Sequence, residues 1–464
     1  MKKIINIAIL PLLLLSCSKN DSPTPDEYEG IDLPNISERT YAGGATTVFS
    51  VNSKAYSAPA ENLTEADNLR HDEGDAMFEV TFVSDPSQPY HGLGPIYNSN
   101  SCISCHPGDG RAAFPTDLVR SRGFFMRVSL PGADSNGSPI PVPGFGTQVQ
   151  NHAITGFKPE GTFGVSYTDS IVNFKDGTKV TLKVPHYTLT GVSATVPPNI
   201  LISPRTSMPI YGLGLLEFIP EADLKALEDV EDKNKDGISG KINYVWDGVH
   251  KRTMVGRFGW KANTATLLDE AAGSFSGDLG VTNHYYPIEI GKGQAFSDDG
   301  NTDGNQMTKD QVDATEFYLR TLAVPAARNM NKKSVRNGAR IFEGIGCAKC
   351  HVAKQRTLAA PINALANQTF YPYTDMLLHN MGPALADRRP DFLADGYEWR
   401  TRPLWGIGLQ EIASGHTNFL HDGRAKNITE AILWHGGESE RSKAIFLKLK
   451  KKEREDLLEF LNSI

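Results

Sequence analysis

Apolar and polar positions change rhythm along this chain. In "SVRNGARIFEGIGCAKCH", Val335, Ala339, Phe342 and Gly346 recur on one face at helical spacing, which predicts a helix running into Cys347. In "EREDLLEFLNSI", Leu457, Leu461 and Ile464 repeat that spacing and predict a closing helix. Residues 331–464 thus read as one helical unit. A short helix is expected at Ile428 to His435, with Asn427 and Glu430 as a capping box and Gly436-Gly437 at its end. Ile428, Ile432 and His435 then share its packed face. The rhythm from 123 to 200 is different. "SIVNFKDGTKVTLKV" sets Asp176-Gly177 between β-rich runs, a hairpin signal, among further strands and Pro/Gly loops.

The chain opens on another pattern. Lys2 and Lys3 precede an apolar run, Ile4 to Leu15, that is too short to span a membrane and suits an export signal. Leu14-Leu15-Ser16-Cys17 resembles a bacterial lipobox, in which the cysteine is lipidated and becomes the mature N-terminus. The expectation is a signal peptide over 1–17, a polar tether over 18–41, and an exported lipoprotein anchored to a membrane and facing the periplasm or cell surface. A length of 464 residues allows more than one globular unit, and a net charge of −7 gives no reason to expect nucleic acid as a partner.

Cysteine arithmetic narrows the chemistry. Cys17 is assigned to lipid, and the other four form "SCISCHPGDG" and "GCAKCHVAK", two Cys-x-x-Cys-His motifs. A zinc site or a dithiol would use the cysteines but leave both following histidines without a purpose. Covalent c-type haem uses all three residues: Cys102 and Cys105, or Cys347 and Cys350, as thioethers, and His106 or His351 as proximal iron ligand. Two covalently bound c-type haems are therefore expected, with no thiol left for disulfide chemistry. In "DKNKDGISG", Asp232, Asn234 and Asp236 have the alternate spacing of a calcium loop, but its twelfth position is Asn243 rather than Glu. Calcium and a plain turn both remain open.

"GLGPIYNSNSCISCH", "SPRTSMPIYGLGLLEFIPEADL", "GRFGWKANTATLLDEAAGSFSGDLGVTN" and "YTDMLLHNMGPALAD" with the later "FLHDGRAKNITEAILWHGGE" resemble the bacterial di-haem oxidoreductase family, also called peroxidases or thiol oxidoreductases. That family is distantly similar to the di-haem cytochrome c peroxidases and to the di-haem enzyme that matures tryptophan tryptophylquinone. The resemblance implies a mainly α fold. It would hold two cytochrome c-like haem domains, at 42–330 and 331–464, with a β-rich, loop-rich insertion in the first. Where those peroxidases place a methionine ligand, fourteen residues beyond the "HDG" histidine, this chain has His435. The resemblance thereby implies a His351/His435 haem, with Met381 as the competing ligand. Trp260 matches the tryptophan between the two haems. Glu270 stands where the peroxidases have glutamine, and Gly280 where they have an acid-base glutamate, with Asp278 the nearest carboxylate. Glu270 and Asp278 are the candidates for proton transfer, against the reading of both as surface carboxylates. No histidine suits the sixth position of the His106 haem, and Met126 and His152 have nothing to support them.

The expected function is a peroxidase-like oxidoreductase in which an electron-relay haem feeds an open haem at His106. Its partners would be a small redox donor of cytochrome or cupredoxin type and a small oxidant such as peroxide. The alternatives are a non-catalytic di-haem electron-transfer cytochrome and an accessory protein of iron acquisition.

Overall fold

The computed structural model describes residue 28 and residues 30–118, 121–300 and 304–464. Cys17 and the apolar leader lie outside the described residues. The packed chain begins ahead of the expected tether boundary, because Tyr28, Leu33 and Ile36 are buried in the same core as the C-terminal helices.

The helices that matter are α1 (Glu65–Glu79), α2 (Cys102–Cys105), α3 (Leu267–Leu279), α4 (Lys309–Thr321), α5 (Lys333–Gly344), α6 (Ile428–Trp434) and α7 (Lys451–Leu461). α5 and α7 pack as their apolar spacing predicts, with Val335, Ala339, Phe342, Leu457 and Leu461 all buried. Ile464 is buried too, just past the end of α7. α6 starts at Asn427, whose side chain accepts the Glu430 N–H at 2.9 Å. The reciprocal bond goes one residue further back, from the Lys426 N–H to Glu430 at 3.0 Å, so the box is offset. His435 is the residue that ends α6 rather than part of it.

The strands that matter are β1 (Phe124–Ala133), β2 (Thr162–Asn173), β3 (Lys179–Thr190), β4 (Leu201–Thr206), β5 (Leu378–Asn380) and β6 (Glu398–Arg400). The hairpin at Asp176-Gly177 joins β2 to β3 in antiparallel register, Asn173 opposite Lys179, with Gly177 at φ 85°. Its tip reaches the C-terminal helices: Lys175 N–H donates to the Leu447 carbonyl, and Asp176 pairs with Arg454 at 2.6 Å. β1 pairs with β4 on one edge and with Gln148–Val149 on the other. Its side chains alternate. Phe124, Met126 and Val128 fill a sheet core, while Phe125 and Arg127 face the opposite way.

The expected mainly α, cytochrome c-like architecture is not what forms. The fold is 28% helical and 19% strand, with several small sheets. Proline explains part of this. Pro361, Pro372, Pro383, Pro390 and Pro403 punctuate the stretch after Cys350, so no long helix can run there. Short strands and loops with buried side-chain hydrogen bonds take its place.

Candidate functional site

Each Cys-x-x-Cys-His motif forms one tight helical turn. In the first, the Ser101 hydroxyl caps α2 through the Ser104 N–H, and the His106 N–H donates to the Cys102 carbonyl at 3.0 Å. In the second, Gly346 at φ 95° turns the chain out of α5, and the His351 N–H donates to the Cys347 carbonyl at 2.9 Å. Both turns set two sulfurs and an imidazole on the wall of a cavity.

The imidazoles are oriented by one device. His106 Nδ1 donates to the Met208 carbonyl at 2.7 Å, His351 Nδ1 to Tyr373 at 2.9 Å, and His435 Nδ1 to Ala431 at 2.7 Å. A carbonyl only accepts, so Nδ1 carries the proton and Nε2 keeps its lone pair. Burial pushes the pKa of His106 and of His351 down to about 4 and lowers that of His435, which favours the neutral ring that binds metal. The Tyr373 carbonyl is aimed by a non-glycine backbone at φ 56°, a conformation that costs about 1 kcal/mol or more.

The first cavity, about 520 Å³, is lined by Cys102, Cys105, His106, Trp260, Glu270 and Asp278. β1 adds Phe125 and Arg127, and the neighbouring segments add Gln148 and Glu160. Burial raises the Glu270 carboxyl, opposed by a bond from Thr264 and by Arg127. Burial also raises Asp278, opposed by Arg127 and by the Gln148 amide, which donates to it at 2.6 Å. Glu160 is pushed up to about 7 by burial while accepting the Gln150 N–H at 2.7 Å. Glu270 and Asp278 therefore face an interior space rather than solvent. Met126 points into the sheet core, and His152 stacks on Tyr97; neither lines the cavity.

The second cavity, about 210 Å³, is lined by Cys347, Cys350, His351, His435 and Met381, with Phe342, Leu457 and Ile432 as apolar wall. His351 and His435 thus share the wall of one cavity. His379 sits beside Cys350, its ring 3.7 Å from the sulfur and bonded to Asp375 at 2.8 Å and Glu438 at 2.7 Å.

Trp260 lines both cavities, as does Arg400. The Trp260 indole N–H donates to the Thr206 carbonyl at 2.8 Å. The next residue, Lys261, is fully buried and bonded to Asp387 at 2.8 Å and to two carbonyls, which fixes this segment.

Asp232, Asn234 and Asp236 do share one loop, but their oxygens accept the Asp236, Gly237 and Ile238 N–H groups. Asp236 also pairs with Lys349 at 2.8 Å, which ties the loop to the second motif.

Sequence reasoning missed Arg127, Gln148, Glu160, Arg400 and His379. Arg127 had a signal, the period-two pattern of β1; the others are brought in by tertiary packing.

Each of the two cavities thus brings together a cysteine pair and a carbonyl-oriented motif histidine. The chain belongs to the di-haem oxidoreductase family: the family model described as "Di-haem oxidoreductase, putative peroxidase" matches residues 36–464. Among curated proteins the chain has no match.

Proposed function

We propose that the protein is an exported c-type oxidoreductase of peroxidase type, with a closed haem in the second cavity and an open one in the first. The observation that carries this is the matched pair of motif histidines, each presenting Nε2 to a cavity beside its two cysteines. All four thiols are unbridged, and burial raises their pKa values, as suits thioether anchors better than dithiol exchange. Haem at these sites supplies one-electron chemistry that protein side chains lack.

This chain's residues divide the work. His106 and His351 hold the proximal sides. His435, with Nδ1 committed to Ala431, offers Nε2 as the second axial ligand at His351, which leaves that centre to relay electrons. Among the described residues no second histidine lines the first cavity, and the methionine there, Met208, is the one whose own carbonyl holds His106, which leaves room for a small oxidant. Glu270 and Asp278 are the groups to hold and move a proton there, since burial keeps each closer to neutrality than an exposed carboxylate. Trp260 supplies the aromatic contact between centres. A soluble cytochrome or cupredoxin would be the electron donor, and lipid on Cys17 the membrane anchor.

Optical and EPR spectra of the purified protein, with and without peroxide, test this reading. The expected result is one low-spin and one high-spin haem, with the high-spin signal consumed by peroxide. Two low-spin centres inert to peroxide even after partial reduction would make the protein an electron-transfer cytochrome instead.

A further inference from the structure

Two guanidinium groups flank Trp260 without carboxylate partners. Arg111 is fully buried, its charge centre 5.2 Å from the indole ring. Its Nη2 donates to the Thr206 hydroxyl and to the Leu420 carbonyl, while Nε and Nη1 have no partner among the described residues. Thr206 lines the first cavity and Leu420 the second, so Arg111 sits in the wall between them. Arg402 lines the second cavity, its charge centre 5.7 Å from the same ring, with no hydrogen bond or ion pair among the described residues. Asp422, the carboxylate whose charge acts on Arg111, is already held by Arg424 at 2.7 Å and by the Tyr187 hydroxyl at 2.9 Å.

A buried guanidinium stays charged, and two placed against one indole repel. Burial and then Arg402 are the influences that push Arg111 down from its ordinary value. An anion beside them would relieve that repulsion. The second cavity also has an orientation. In a c-type haem the thioether-bearing and propionate-bearing pyrroles occupy opposite halves of the ring. With Cys347 and Cys350 holding one half, the carboxylates belong against another part of the wall, and Arg402 is a cation of that lining with no partner among the described residues.

We propose that Arg402 and Arg111 form a carboxylate-binding seam at Trp260 that takes a propionate of the haem in the second cavity. This rests on the haem reading above and adds to it an orientation. The propionate edge of the relay haem faces Trp260 and the other cavity, and the two guanidinium charges are neutralised by the cofactor itself.

The test is spectroelectrochemistry of the holoprotein, with haem content measured alongside. Arg402→Gln removes a cation next to the carboxylate, so the potential of the His351 haem should fall, and it should gain pH dependence near neutrality as the released propionate titrates. R402K should recover most of the wild-type value, and R111Q should move the same haem in the same direction. Unchanged potentials and pH dependence in both R402Q and R111Q, at full haem content, would overturn the seam while leaving the di-haem reading intact. A wild-type potential that tracks chloride or phosphate concentration would assign the seam to a free anion and overturn the propionate assignment. Purified wild-type protein without covalent haem would remove the reading beneath it.

Discussion

A histidine serves as an axial ligand only if its ring is held and its proton sits on the far nitrogen, and a backbone carbonyl does both for His106, His351 and His435. Removing His435 should therefore touch one centre. In H435A, the second haem is expected to turn high-spin or take Met381, with the first haem's spectrum unchanged; two unaltered spectra would refute the ligand assignment. His379 invites a different measurement. Burial alone would lower its pKa, but Asp375, the Cys350 sulfur and Glu438 raise it to about 12. The two carboxylates remain when Cys350 is tied up as a thioether. The stability that this imidazolium contributes is fully present below its unfolded value of about 6.5 and is lost as pH climbs through the raised value that the carboxylates give it in the folded protein. His379→Gln should cost about 3 kcal/mol near neutral pH, by stranding buried carboxylates, and should flatten the decline of stability on the alkaline side. Denaturant unfolding at neutral and alkaline pH would show it, and parallel curves for wild type and variant would count against it. Motif spacing made His106 and His351 legible, and family position made His435 so. Arg111 and Arg402 were not, because an isolated arginine in a sequence is normally solvated.

Among the elements, the α5 and α7 pair was the most legible, since Val335, Ala339, Phe342, Leu457 and Leu461 state their burial in the sequence. What the sequence does not state is how closely the helices approach. A Cβ on Gly338 would lie 2.0 Å from the Asp456 carbonyl oxygen, so the two backbones would have to separate. Gly338→Ala should cost about 1–3 kcal/mol in unfolding experiments, although alanine is the better helix former. A neutral or stabilising result would mean that the helices are not packed this tightly. The stretch from Cys350 to Asn427 was the least legible. Tyr373, Met376, Arg388, Phe392 and Leu420 all have positive φ there, a state that only surrounding contacts can impose on such side chains.

For the molecule as a whole, the mainly α expectation, which came from the family resemblance, failed because each Cys-x-x-Cys-His motif needs only a single turn and a cavity, and proline-punctuated strands and loops can supply the rest. One tryptophan lies on both cavities, so the centres are joined by a shared wall. In W260F, each haem should keep its own spectrum while electron exchange between them slows, at a stability cost of about 1 kcal/mol for the lost bond to Thr206. Rapid-mixing spectroscopy after reduction of one centre would measure this, and an unaltered rate would exclude Trp260 from the path. The alternation along β1 has a further consequence for how such a protein can diversify. Phe124, Met126 and Val128 sustain the scaffold, while Phe125 and Arg127 meet whatever enters the first cavity. Substitutions at the second set leave the first set's packing untouched, so a lineage can try new ligands along one side of a strand without wagering its fold on the other.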